Sequence, residues 1–176
     1  MKDKIIGVVK KSFDELKRKD GSLFECPIEE EMEYDSRKLH EVCINHKLSN
    51  YLEKFFFQEF PNDKGNLFFD IEFNREGGNR KELEIEGRIE TVRPDIILHN
   101  RKSGDHKINL LVVECKKKGA DSGKLLEDEK KIKAFITSEK YKYQYGLQVI
   151  YGQAEILGYL YYLTSNGIEK KEITSD

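Results

Sequence analysis

"LLVVECKKKG" (Leu110–Gly119) runs four apolar residues directly into an acid, a cysteine and three lysines, with no turn residue between them. A short apolar run without alternation reads as a strand buried on both faces, the pattern of an interior strand covered by helices. Side chains at i and i+2 share one face of a strand. Glu114 and Lys116 therefore project together, while Val113 and Cys115 project the other way, towards the core. A rigid strand that ends with an acid and a base on one side is a candidate platform for chemistry.

The flanking segments predict what surrounds that strand. Residues 3–19 carry Ile5, Ile6, Val9, Phe13 and Leu16 at helical spacing and stop at Gly21. The acidic "IEEEMEYD" (28–35) is expected as a loop. A second helix is expected from an N-cap at Asp35 or Ser36 to Phe60, where Pro61 ends it. Its apolar positions are Leu39, Cys43, Leu48, Leu52, Phe55 and Phe56. Strand signals follow over 67–74, with a Gly77-Gly78 turn and a weaker return. "RIETVRPDIILHN" (88–100) carries another strand, in which Pro94 implies a start, an edge or a bulge. A helix is predicted over 122–138, with Leu125, Leu126, Ile132, Phe135 and Ile136 apolar. A strand over "YGLQVIYG" (145–152) and a C-terminal hairpin closed by Asn166-Gly167, whose first arm also reads as a helix, complete the chain. This order predicts one α/β (α+β) domain over 1–176, a central mixed β-sheet flanked by α-helices. Its core spans about 36–152, with the N-terminal helix and the C-terminal hairpin as additions.

Composition narrows the class. Hydrophobic residues are 38% of the chain and charged residues 36%, and nine Tyr and ten Phe are spread along it, which excludes a disordered chain. No apolar run approaches the ~20 residues of a membrane span, and the N-terminus lacks the apolar stretch of a signal peptide. A cytoplasmic protein without a membrane partner is expected. Cys26, Cys43 and Cys115 are odd in number and lack C-x-x-C spacing, so reduced, partly buried thiols are expected rather than a disulfide framework or a zinc site. The net charge of −2 is unevenly distributed. Residues 1–35 hold seven Lys/Arg against ten Asp/Glu, and residues 93–133 hold eleven against seven, which leaves room for a local basic surface.

Several familiar motifs fail on spacing. "HEVCINH" (40–46) has Ile44 where a zinc helix H-E-x-x-H needs its second histidine. "GADSGKL" (119–125) has three residues between its glycines, not four, and Leu125 where a phosphate loop needs Ser or Thr. No G-x-S-x-G occurs, and Cys115 points away from Glu114 and Lys116.

One constellation remains. If "RPDIIL" is the neighbouring strand, Asp95 lies beside Glu114. Two close carboxylates raise each other's pKa unless a cation lies between them. Mg²⁺ takes oxygen ligands, and Asp95, Glu114 and the backbone carbonyl of Cys115 are three such donors. Lys116 is placed to orient a water and to hold a phosphate. A lone E-x-K also reads as a salt bridge at a strand end. The pair "PD…ECK", 19 residues apart, is more specific.

On "RPDIILHN" and "LLVVECK" the chain resembles the PD-(D/E)XK nuclease superfamily, whose fold is that of restriction endonucleases. The likeness covers about residues 36–152 and is nearest to small stand-alone bacterial members. It implies a Mg²⁺-dependent nuclease (Mn²⁺ also possible) that hydrolyses phosphodiesters, with DNA favoured over RNA. It implies Asp95, Glu114 and Lys116 as catalytic residues. It also implies an acid from the preceding helix: Glu41 in "HEVCINHKLSNYLEKFF", with Glu53 and Glu59 as alternatives. Metal ligands would be Asp95, Glu114, the Cys115 carbonyl and Glu41. Arg75, Lys117, Lys118 and Lys124 are candidate phosphate contacts. Asp70 or Glu72 is a further acid that can face the site, and His46 is expected to be packed. The Q-x-x-x-Y motif of some DNA-end-processing members is absent. The alternative is an inactive module of the same fold that binds nucleic acid or a protein.

Overall fold

The computed structural model describes residues 1–24, 34–76, 78–102, 106–152 and 155–175, without the side chains of Ser22, Phe24, residues 34–40 and Glu76. Cys26, Gly77 and most of the expected 28–35 loop lie outside these residues. Helix α1 spans Lys2–Asp20 and α2 spans Tyr34–Glu59. Phe60 leaves the helical conformation (φ −129°) and Pro61 opens a short 3₁₀ turn, Pro61–Asp63. Proline restricts the residue before it to extended backbone, so the helix ends where the sequence predicts.

The strands are β1 Phe68–Ile71, β2 Arg75–Glu76, β3 Asn79–Arg80, β4 Glu82–Ile85, β5 Arg88–Thr91, β6 Ile96–His99, β7 Asn109–Lys117, β8 Tyr145–Tyr151, β9 Ile156–Thr164 and β10 Gly167–Thr174. Helix α3, Ser122–Thr137, lies between β7 and β8. Six strands form one mixed sheet in the order β1-β6-β7-β8-β9-β10. Among the described residues its only parallel pair is β7–β8, and α3 makes the crossover that a parallel pair requires. The C-terminal hairpin continues this same sheet.

Two strand expectations need correction. The strand expected over 88–100 is two strands. Pro94 has no N–H to give a ladder, and the chain breaks at 92–95. The half before the break, β5, pairs only with β4 in a separate hairpin. The strand expected over 67–74 stops at Ile71, because Glu72 turns into left-handed backbone (φ +49°).

Helices cover both faces. Ile5, Val9, Phe13 and Leu16 of α1 and Ile44, Leu48, Leu52 and Phe56 of α2 join Ile96, Val113, Cys115, Leu147 and Val149 in the main core. On the opposite face Ile97 and Val112 pack with Phe135 of α3, Tyr141, Tyr143 and the β4–β5 hairpin. The buried stripe of α2 runs through Ile44, while Cys43, expected inside, is exposed. Likewise Leu126 of α3 is exposed. His46, expected to be packed, is exposed too. No helix among the described residues is long and apolar enough to cross a membrane.

Close helix–sheet approach depends on two glycines, one for each face. A Cβ on Gly146 would fall 2.3 Å from Cγ2 of Ile132 in α3, and one on Gly158 would fall 2.8 Å from the Phe13 ring of α1. Both neighbours are fully buried, so neither can swing away. Gly146→Ala is expected to cost about 1–3 kcal/mol by overpacking. Urea unfolding measures it, and Ile132→Leu in the same chain, which lacks the clashing Cγ2 methyl, is expected to return part of the loss.

Candidate active site

The β6–β7 register sets the site. Ile96 pairs with Val113 and Ile97 with Val112 in antiparallel order, which carries Asp95 opposite Glu114. Asp95 is held from both sides. Its carbonyl accepts from the Glu72 amide (2.9 Å), continuing the β1–β6 ladder. Its carboxylate Oδ2 accepts from the Cys115 amide at 2.7 Å. Glu114 is buried, 3% exposed, on the α3 face of β7. Lys116 lies two residues on, on the same face, and its Nζ donates to the Cys115 carbonyl at 3.1 Å.

Lys116 has a partner that the sequence did not suggest. Its Nζ is 2.9 Å from Oδ2 of Asp128, an α3 residue whose side chain is 2% exposed. Lys131 reaches the other oxygen at 3.4 Å. The signal was present in the periodicity. The buried stripe Ile132, Phe135, Ile136 extended back one helical turn lands on residue 128. Gln148 was also missed. It pairs with Glu114 across β7–β8 and is buried. Its Nε2 donates to the Leu125 carbonyl at 2.7 Å, pinning the first turn of α3.

Glu41 approaches from α2. One turn later on that helix, Asn45 is buried and accepts from the Tyr151 hydroxyl of β8 at 2.9 Å, fixing α2 against the sheet. Glu41 is half-buried and feels Lys116, Lys117, Asp128 and Lys124. Neither alternative acid comes into this set: Glu53 is exposed, and Glu59 pairs with Lys4 of α1 at 3.0 Å. Asp70 is engaged by His99 (2.8 Å) and Arg101, and Glu72 lies 3.5 Å from Arg93. Lys118 is exposed, with its amide donating to the Tyr151 carbonyl at 2.7 Å. Arg75 is not drawn to these acids; its guanidinium turns back to the Gly78 carbonyl at 3.4 Å.

The electrostatics follow from crowding acids at a buried strand end. Burial pushes Asp95 up to about 6, against the Cys115 amide and Lys116, which pull it down. Burial and then the Asp95 charge push Glu114 well above the usual carboxylate range. Burial also raises Glu41, opposed by Lys116 and Lys117. Burial works against the Lys116 ammonium, but Asp128 outweighs it and the lysine stays charged. The buried Cys115 thiol is pushed up, which makes it a packing residue rather than a nucleophile.

Does this donor set fit a divalent ion? Among the described residues no three His, Cys, Asp or Glu side chains gather to hold a metal by themselves. Asp95 and Glu114 are nonetheless two neighbouring acids that Lys116 compensates only in part, because its ammonium is paired with Asp128. The Cys115 carbonyl has two lone pairs, only one of which Lys116 needs. Two hard carboxylate oxygens and a carbonyl suit Mg²⁺ or Mn²⁺, which completes its shell with water.

Without metal, the raised Asp95 has a definite consequence for stability. Its contribution is intact below about pH 4, where the carboxyl is protonated in both states, and is lost as pH rises through about 6. Asp95→Asn removes that titration. In chelator the variant is expected to melt above the wild type near pH 7, the gap closing towards about pH 4. A gap independent of pH in thermal unfolding would contradict the assignment. Comparison of the chain with protein-family models, with curated proteins and with solved structures finds no match.

Proposed function

We propose that the chain is a metal-dependent nuclease of the PD-(D/E)XK kind that hydrolyses phosphodiester bonds, with DNA as the favoured substrate. The observation that carries this reading is the convergence of Asp95, Glu114 and Lys116 at one sheet end, with the Asp95 carboxylate on the Cys115 amide. A mixed sheet flanked by helices is compatible with it.

Asp95, Glu114 and the Cys115 carbonyl would hold Mg²⁺, which when bound supplies an acidified water and a positive charge for the attacked phosphate. Glu41, on α2 and close enough to act on Asp95, adds a further acid that would orient water. Lys116 holds a non-bridging phosphate oxygen and steadies the nucleophilic water through its remaining N–H. Lys117 and Lys124, which already act on Glu41, draw the phosphate backbone towards the acids. Lys118, exposed beside them in sequence, extends that basic edge.

A second reading has its own support. The Lys116 ammonium already rests on the Cys115 carbonyl and Asp128, an arrangement that neutralises the site without metal. An inactive module of the same fold, binding nucleic acid or a protein, would keep such a closed arrangement.

Cleavage of single- and double-stranded DNA and RNA with Mg²⁺ or Mn²⁺ separates the two. The expected result is metal-dependent cleavage that Asp95→Ala abolishes and Lys116→Ala lowers by about 10²–10⁴-fold. Undiminished cleavage by these variants would remove the assignment. Calorimetry showing no Mg²⁺ uptake dependent on Asp95 and Glu114 would favour the binding module.

A further inference from the structure

We infer that Asp128 is a positioning residue: it holds the Lys116 ammonium in the orientation that the proposed reaction needs. This rests on the nuclease reading and adds to it a residue from outside the PD…E-x-K pattern.

An ammonium has three N–H donors and no acceptor. Lys116 directs one at the Cys115 carbonyl (3.1 Å), and its charge is paired with Asp128 Oδ2 (2.9 Å), a buried oxygen that accepts no hydrogen bond among the described residues. The hydrogen bond and the ion pair draw the nitrogen from two sides and hold it at the strand end. A lysine at a strand end would otherwise swing about four rotatable bonds and take its charge to solvent. Asp128 itself cannot swing. It lies on the buried face of α3, one turn before the fully buried Ile132. The start of that helix is tied to β8 by the Gln148 bond to the Leu125 carbonyl. The chain of support therefore runs β8, α3, Asp128, Lys116.

Folding alone gives no reason for an acid at this position. The rest of the stripe is apolar, and a buried ion pair is commonly replaced by hydrophobic residues at no loss of stability. Lys131 also touches Asp128, but more distantly and from a half-exposed position, so it does not explain why the carboxylate is buried.

The test compares wild type, Asp128→Asn, Asp128→Glu and Lys116→Ala in three measurements. Thermal unfolding checks that each variant folds. Proton–nitrogen correlation NMR of lysine ammonium groups, assigned by loss in Lys116→Ala, reports immobilisation of Lys116 without reference to activity. Steady-state cleavage with Mg²⁺ gives kcat and KM separately. In folded Asp128→Asn the Lys116 ammonium resonance is expected to vanish through fast exchange. In the same variant kcat is expected to fall about 10²-fold, the scale of a roughly 1 Å misplacement, with KM little changed. Asp128→Glu should recover part of both. An ammonium resonance that persists in Asp128→Asn overturns the proposal, as does its loss with kcat unchanged. If wild-type protein cleaves nothing but loses the resonance in Asp128→Asn, the anchoring of Lys116 stands and the nuclease reading falls.

Discussion

The hydrogen bond from the Cys115 amide to the Asp95 carboxylate is the contact on which the site is built. It forms just beyond the last paired residues of β6 and β7, where the backbone ladder has stopped and a side chain takes its place. Pro94 is the reason the ladder stops: a strand cannot pass through a residue with no N–H without losing a bond. The break releases Asp95 from strand alternation but leaves its carbonyl on the Glu72 amide, so the residue is fixed at both ends. Moving β7 by one residue would turn Glu114 and Lys116 into the α2-side core and bring Cys115 out. The apolar run from Leu110 to Val113 would suit either face, so what forbids that slip is the cost of driving Glu114 and Lys116 into an apolar core.

This contact also explains why the charges are unusual in kind as well as number. Asp95, Glu114 and Asp128 are all acids near a buried strand end: Asp128 raises Asp95, and Asp95 and Asp128 raise Glu114. Lys116 is the cation most deeply committed among them, and it is shared. Such an arrangement is poor as a stabilising device, since removing charges from water costs several kcal/mol per ion before any pairing gain. It is coherent as a place where a further positive charge is welcome. The same carboxylates that burden the metal-free fold are those that a hard cation would relieve.

Much of this was legible in the sequence, and the omissions have physical causes. The interior strand and its sidedness follow from its apolar run and period-two alternation; the pairing of Asp95 with Glu114 needs the further assumption that their strands are neighbours, and Glu41 comes only from the family resemblance. What escaped was what one element does to another. Asp128 looked like one charge among many in "LLEDEKKIK", and only the docking of α3 on β7 turns it inward. Gln148 read as an interior residue of a strand, and its bond to the Leu125 carbonyl depends on where a helix lands. Cys43 was preferred to Ile44 because both fit a helical stripe offset by 100°, and the tie is broken only by the sheet against which α2 rests. The division of residues 88–100 into two strands belongs to the same class: Pro94 marks the break within the segment, but the partner β4 that draws β5 away lies outside it.

The geometry of a sheet restricts where such a site can lie at all. Glu114 and Lys116 face α3, and Glu41 comes from α2, which covers the other face. In the body of the sheet two such groups are separated by the thickness of the strands and their packed side chains. Only past the strand ends does that barrier disappear. Asp95 lies there, and its ionisation responds both to Glu41 and to Asp128. The site is thus completed only when both helices are seated, α2 through the Tyr151–Asn45 bond and α3 through Gln148. Both anchors come from β8, the strand parallel to β7 and next to it. A change in β8 that leaves every charged residue intact would therefore still separate Glu41 and Asp128 from the acids they serve.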